Sequence, residues 1–306
     1  MAKVLVTGGA GFIGSRLVER LLNLGYDVTV VDNLSTGKKQ NLREALRSID
    51  FIQGDIRDKE VLKKATRGVD YVVHLAALIS VSESVRLPNL YFDVNVNGTL
   101  ALLNESSKAG VEKFVFASSC AVYGNPVRIP IGEDHPLRPL SPYAESKLAA
   151  ERHCRMYSQR KALKTFILRL FNVYGPRQDH SQYSGVITQF VRRVSQNQPP
   201  IIYGSGEQTR DFIYVDDVVE YVVRTLGSEA EETYNIGSGK QTTINELAGL
   251  VTKIMGKPDL VPLHLPPREG DIVHSLADIS KAKAILGYTP QTPLGEGLKE
   301  AINAEP

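Results

Sequence analysis

"VLVTGGAGFIGSRL", Val4 to Leu17, decides the fold. An apolar strand runs into Gly8, Gly11 and Gly14, and the chain leaves them in a helical period, with Ile13, Leu17, Leu21 and Leu24 on one stripe from about Phe12 to Leu24. Strand, glycine turn and helix in that order make the first βα unit of a dinucleotide-binding sheet. Small residues let the backbone approach a pyrophosphate, and the helix N-terminus adds free N–H donors and a partial positive charge. Asp32 ends the next strand, "DVTVVD", about 20 residues further on, the distance at which a carboxylate takes a ribose diol. An acid there disfavours the extra phosphate of NADP, so the expected cofactor is NAD. Asp55 and Ile56, in "GDIRD", end the third strand where an adenine would lie. Phe12, Ile13, Asn33 and Ala76 complete the expected cofactor set.

Outward from that unit, short β-branched runs alternate with helical patterns: "DFIQGD", "DYVVHLA", "KFVFASS" and "KTFILRLFNVYG", with helices expected over Leu90–Lys108 and Pro142–Gln159. Strands this apolar read as a doubly wound parallel sheet, an α/β (Rossmann-like) class covered on both faces. From about Asn172 the pattern breaks into Pro- and Gly-rich pieces such as "NQPPIIYGSGEQT". This predicts an NAD-binding domain over 1–171, rejoined by a segment near 211–237, and a smaller, mixed, interleaved substrate domain over 172–306.

With 36 basic and 34 acidic residues the net charge is +2 and no basic stretch stands out, which argues against nucleic acid as a partner. No signal-peptide pattern and no apolar run of about 20 residues is visible, so no membrane association is expected. Two cysteines, Cys120 and Cys154, support neither a disulfide framework nor a zinc site. The six histidines are scattered, so no metal is expected and a reducing cytoplasm is the simplest setting.

The chemistry is expected at two further stretches. "FASSCAVYG", Phe116 to Gly124, ends a buried strand in Ser118 and Ser119. "SPYAESK" begins a helix at Ser141 and Pro142 and places Tyr143 and Lys147 four apart on one face. A free tyrosine titrates near pH ~10 and is a poor base at neutrality. A neighbouring ammonium, helped by the positive nicotinamide, is expected to lower it.

Taken together, the glycine turn with Asp32, "SSCAVYG", "YAESK" and "LRLFNVYGP" resemble extended short-chain dehydrogenase/reductases that act on nucleotide-sugars, over essentially the whole chain. The resemblance implies that Ser119 bonds the reacting sugar hydroxyl and Tyr143 is the base. Lys147 would bind the nicotinamide ribose and tune Tyr143, and Ser118 would lie beside the nicotinamide. It further implies that Asn172, Arg210 and Arg268 hold the sugar diphosphate and that Asp271 takes the uridine ribose. Related sugar-nucleotide dehydratases carry an Asp-Glu pair after the strand hydroxyl, where this chain has Cys120 and Ala121. Elimination needs a proton donor and acceptor, and alanine supplies neither.

The expected activity is therefore NAD-dependent 4-epimerisation of a UDP-sugar, of the galactose-epimerase type. Ser275 falls where glucose-restricted relatives can carry a large aromatic residue, so UDP-N-acetylhexosamines are expected substrates as well as UDP-glucose and UDP-galactose. Other reactions on the same scaffold, such as epimerisation or decarboxylation of a UDP-uronate, remain alternatives. A non-catalytic dinucleotide sensor would be expected to lose Tyr143 or Lys147, and both are present. "YNIGSG", with Asn235 and Gly237, reads as a structural turn. The family resemblance also implies a homodimer through the helices near Leu90–Lys108 and Pro142–Gln159.

Overall fold

A computed structural model of the chain describes residues 1–160, 163–178, 185–267 and 272–304. Its strands, in chain order, are β1 (Lys3–Thr7), β2 (Asp27–Asp32), β3 (Ile49–Gln53), β4 (Tyr71–His74), β5 (Lys113–Ser119), β6 (Lys164–Leu170), β7 (Asn172–Tyr174), β8 (Ile201–Tyr203), β9 (Thr209–Arg210), β10 (Phe212–Tyr214), β11 (Thr233–Ile236), β12 (Thr242–Thr243) and β13 (Leu263–Leu265). Its α-helices are α1 (Phe12–Asn23), α2 (Lys59–Ala65), α3 (Val81–Arg86), α4 (Pro88–Phe92), α5 (Thr99–Ala109), α6 (Pro142–Gln159), α7 (Val186–Ser195), α8 (Val215–Gly227), α9 (Ile244–Ile254), α10 (Ser280–Leu286) and α11 (Leu294–Asn303).

Seven strands form one parallel sheet in the order β11-β6-β5-β4-β1-β2-β3. The period-2 alternation of apolar residues sends successive side chains to opposite faces, and helices cover both. Val4, Val6, Val115 and Leu168 pack with Leu17, Val18 and Leu21 of α1 and Val218 and Val222 of α8. Leu5, Phe114, Phe116 and Ile167 pack on the other face with Leu62 of α2, Leu102 and Leu103 of α5, and Ala150 and Cys154 of α6. The chain switches direction between β1 and β4, and the crevice outside the carboxyl ends of the strands opens there. This is the α/β, Rossmann-like class expected from the strand pattern.

Two helices differ from the hydrophobic pattern in an instructive way. In α1 the buried face is Gly14, Ser15, Leu17, Val18 and Leu21, whereas Leu24 is the C-cap and 43% exposed. Close packing by the small Gly14 and Ser15 rotates the face away from the stripe that counting large residues selects. The single helix expected over Leu90–Lys108 is interrupted by a π-helical turn over Asp93–Gly98. The extra residue in that turn accompanies a buried Asn95, a polar position that helical periodicity does not anticipate. In α6, by contrast, Pro142 opens the first turn and the Ser141 hydroxyl accepts from the Ala144 N–H at 3.2 Å, as expected.

Beyond β6 the pairings are short. β7 lies parallel to β10, β8 parallel to β13, and β9 antiparallel to β12. They surround a separate core that includes Phe190, Val194, Leu247, Val251 and Leu298. β11 and α8 join the large sheet and its α1 face, but β10, in the segment between Asp211 and Gly237, pairs with β7 instead. Among the described residues no helix is long and apolar enough to cross a membrane.

Candidate active site

The glycine turn is shaped by backbone contact. Gly8 has φ +71, and a Cβ there would sit 2.7 Å from the Ala76 nitrogen at the end of β4. A Cβ on Gly14 would lie 2.1 Å from the Gly8 carbonyl oxygen. At Gly11 the nearest atom to an added Cβ is that same carbonyl oxygen, at 3.1 Å, so this position stays open on its outer side. Gly11 is also the N-cap of α1; no side chain caps the helix and no acid lies in its first turn. The N–H donors of Phe12 and Ile13, at the first helical positions, therefore have neither a capping side chain nor a first-turn carboxylate as acceptor.

Asp32, 7% exposed, accepts from Ala10 N–H at 2.9 Å and Leu34 N–H at 2.8 Å, one on each oxygen. Each oxygen keeps lone-pair capacity for a further donor. Asn33 donates to Asp55 at 2.9 Å, and Arg57 donates to both Asp55 oxygens at 2.8 Å, holding that carboxyl well below the usual range. Ile56 is buried against Gly98, whose absent side chain leaves it room.

The chemical groups gather at the end of β5. Ser119 accepts from the Ala121 N–H at 3.2 Å across a 3₁₀ turn, Cys120–Tyr123, and its hydroxyl acts on the neighbouring Tyr143 phenol. Tyr143 and Lys147 are 8% and 5% exposed. Burial pushes the phenol up to about 12; the Ser119 hydroxyl pulls it the other way, and Lys147 exerts no comparable pull. The lowering expected from Lys147 is thus not found among the protein's own groups, where desolvation decides. Burial likewise pushes Lys147 down to about 8, opposed by Glu151. Its ammonium rests 4.6 Å from the Phe116 ring centroid and makes no hydrogen bond to any described residue. An unpartnered buried ammonium beside a phenol, an open helix N-terminus and a carboxylate with spare lone pairs are the donor set that a dinucleotide requires, so the residues fit NAD. The Cys120 thiol is pushed up to about 12 by burial and is neutral, and Ala121 has no titratable group.

Behind these groups runs a polar chain that the sequence reading did not single out. The Asn95 amide donates to the Leu78 carbonyl and to the Ser146 hydroxyl, both at 2.9 Å, and its oxygen accepts from Leu78 N–H at 2.9 Å. Ser146 in turn donates to the Tyr143 carbonyl at 2.7 Å. Thr99 donates to the Asn95 carbonyl at 2.6 Å, so it accepts from His74 Nε2–H, and His74 Nδ1 accepts from Thr7. The buried His74 is pushed down to about 3 and stays neutral. Its signal in the sequence was a lone polar residue inside "VVHLA".

At the other end of the cleft, the Asn172 amide donates to the Asp211 carbonyl at 3.2 Å. Arg210 donates to the Thr209 carbonyl at 2.8 Å and its charge acts on the Cys120 thiol, which places it near the end of β5. Ser275 is buried, with its N–H donating to the Thr209 carbonyl at 3.2 Å. Asp211, fully buried, accepts from Ser238 N–H and hydroxyl, Gly239 N–H and Ala277 N–H, and so ties three segments together. Asn235 is satisfied by Tyr123 and the Ile131 carbonyl. Arg268 and Asp271 lie outside the described residues.

Known proteins share this fold. The chain is 40% identical over 305 residues to the UDP-glucose 4-epimerase of Mycolicibacterium smegmatis, covering 98% of this chain and 97% of that one. It superposes with TM-score 0.94 at 42% identity on the Thermotoga maritima UDP-glucose 4-epimerase solved with UDP-glucose, covering 99% and 98% of the two chains. It superposes equally well, at 0.94 and 38% identity, on a UDP-N-acetylglucosamine 4-epimerase from Methanobrevibacter ruminantium M1 in complex with UDP-N-acetylmuramic acid, covering 99% and 97%. Residues 4–237 match the family model of the NAD dependent epimerase/dehydratase family. With its glycine turn, its Asp32 and its Ser119, Tyr143 and Lys147 in one cleft, the chain belongs to that family.

Proposed function

We propose that the chain inverts C4 of a UDP-hexose through a transient 4-keto sugar. The observation that carries this reading is a Ser119 hydroxyl acting on the Tyr143 phenol at the end of β5, followed by a neutral thiol and an alanine in place of an acid–base pair. Tyr143 takes the proton of the C4 hydroxyl, with Ser119 orienting that hydroxyl. NAD, when bound, would supply the acceptor of the C4 hydride and the hydride that returns to C4 and, in its oxidised form, a positive charge that favours the Tyr143 phenolate. Lys147 donates to the nicotinamide ribose, and Asp32 accepts from the adenosine ribose hydroxyls. Gly8, Gly11, Phe12, Ile13 and Gly14 present backbone to the pyrophosphate. Asn33, Asp55, Ile56 and Ala76 line the cofactor, and Ser118 stands beside the nicotinamide. With no acid–base pair after Ser119, the 4-keto sugar is not routed into loss of water. Tyr143 then returns its proton once the sugar presents its other face.

Asn172, Arg210, Arg268 and Asp271 hold the UDP moiety, in a unit made of 172–306 apart from the 211–237 return. Ser275, small and buried beside Thr209, leaves room for an N-acetyl group, so UDP-N-acetylglucosamine and UDP-N-acetylgalactosamine are substrates too. Ser275→Tyr tests this: N-acetyl substrates should be lost selectively, and equal loss of both sugar classes contradicts it. The protein acts in the cytoplasm as a homodimer built on the α4–α5 and α6 region, where the exposed Leu90 and Phe92 supply apolar surface. Sedimentation as monomer alone at micromolar concentration contradicts the dimer.

The activity is tested by a proton NMR time course with UDP-glucose and, separately, UDP-N-acetylglucosamine. The expected result is the 4-epimer, absent with Tyr143→Phe. No epimer from either sugar, even with NAD supplied, overturns the reading.

A further inference from the structure

Two oppositely charged, fully buried side chains take no part in the reaction just described. Glu151 and Arg169 are 0% and 1% exposed. Glu151 Oε1 accepts from the Ser118 hydroxyl at 2.6 Å and from Arg169 Nε at 2.9 Å. Oε2 accepts from Arg169 Nη2 and from Arg155 Nη2, both at 2.8 Å. The remaining Arg169 nitrogen donates to the Tyr123 phenol at 2.9 Å and the Glu133 carbonyl at 3.3 Å. Tyr123 in turn donates to the Asn235 amide oxygen at 2.6 Å. One ion pair thus joins α6, β5, β6, the turn after β5 and β11.

Holding these elements together needs no charge. Two buried ions lose their hydration, and apolar residues of similar volume hold such elements at least as well. Apolar contacts can slide, however, whereas a guanidinium and a carboxylate joined by two parallel hydrogen bonds admit one register. The elements joined are those that carry the chemistry. Tyr143, Lys147 and Glu151 follow one another at four-residue steps, so they form one stripe along α6. The stripe is pinned at Glu151 to Ser118, the neighbour of Ser119, while Tyr123 closes the turn that begins at Ser119. A rotation of α6 by about 10° moves a side-chain tip at the helix's outer radius of ~6 Å by about 1 Å. A displacement of that size can cost about a hundredfold in rate.

We propose that Glu151 and Arg169 are positioning residues, whose ion pair fixes the register of α6 on β5 and so the contact of Tyr143 with Ser119. The proposal rests on the epimerase reading for its rate measurement. Both side chains are closed off by protein groups, so the pair acts on the chemistry through Ser118 and Tyr123.

The experiment replaces both charges at once, Glu151→Leu with Arg169→Met, so that no ion is left buried alone. The expected result is a melting temperature within about 3 °C of the natural protein or above it. NAD affinity and KM should stay within about twofold, with kcat lowered by about tenfold to a hundredfold. A folded double variant with the natural kcat overturns the proposal, and so does a loss lying wholly in NAD affinity. Should the double variant not fold, Glu151→Gln with Arg169→Gln removes both charges and keeps hydrogen-bonding groups, with the same expected split and the same overturning result.

Failure of the epimerase reading is separable, because the unaltered protein is assayed alongside. If it turns over no UDP-hexose, amide hydrogen exchange over residues 119–124 and 143–150 decides. Exchange about tenfold faster in a variant of unchanged melting temperature supports the pin, and unchanged exchange overturns it.

Discussion

The two ends of the cleft use different parts of the chain. At the cofactor end the working surface is backbone: Gly8, Gly11 and Gly14 are there because a Cβ would strike a neighbouring turn or obstruct an approach. At the chemical end it is buried side chains, and each resists its charged state, with Tyr143 pushed up to about 12 and Lys147 down to about 8. Stability and function therefore point the same way at the first end and in opposite directions at the second. A substitution that removes a glycine should harm both folding and binding. One that removes Lys147 or Tyr143 should remove activity and leave a protein at least as stable.

The sharpest way to break this contrast is Tyr143→Phe, which keeps the ring and deletes the proposed proton carrier. Turnover should fall by about 10²- to 10⁴-fold at an unchanged or raised melting temperature. Marked unfolding would mean that the phenol is a structural member after all. Gly14→Ala comes next. With its Cβ 2.1 Å from a backbone oxygen that no side-chain rotation can clear, it should cost on the order of 3 kcal/mol of stability and release NAD together. Loss of NAD affinity alone, measured by calorimetry on a fully folded variant, would separate what the contrast joins.

Lys147→Met tests the opposing sign. The folded pKa of about 8 lies below the ordinary value of 10.5, so the unfolded chain binds the extra proton between those values. The natural, cofactor-free protein is penalised fully below about pH 8, and the penalty disappears as pH rises to 10.5. The variant should therefore be more stable by on the order of 3 kcal/mol at pH 7, with the gain vanishing above pH 10.5 in urea unfolding, while turning over no substrate. The smallest expected effect is at the substrate end. Asp211→Asn replaces an acceptor of four donors with a group that must present N–H to some of them, at about 1–3 kcal/mol. It should raise KM several-fold and spare kcat.

The contrast also governs what could be read from the amino acids. Gly8, Gly14 and Asp32 were legible because backbone constraints admit few residue types at fixed spacings, and the parallel sheet followed from strands too apolar to face water. Tyr143 and Lys147 were legible from helical spacing beside a strand that ends in hydroxyls. Glu151 and Arg169 were not, because an acid one turn past Lys147 and an arginine inside "FILRLF" resemble a solvated face and a strand exception until the fold brings them together. The π turn that accompanies the buried Asn95 escaped for a related reason, since helical periodicity has no symbol for a one-residue insertion. Around Ser275, Thr209 pairs through a two-residue strand and Ala277 through an isolated bridge to Ile131, both too short for any period to register.

The central claim is that C4 is oxidised and reduced within one active site. It is tested most directly with UDP-hexose carrying deuterium at C4, incubated in ordinary water without added cofactor and read by NMR and mass spectrometry. The expected product is the 4-epimer with its deuterium fully retained at C4. Deuterium lost to solvent in step with epimerisation would contradict the account, because a proton transfer at carbon would then replace the hydride.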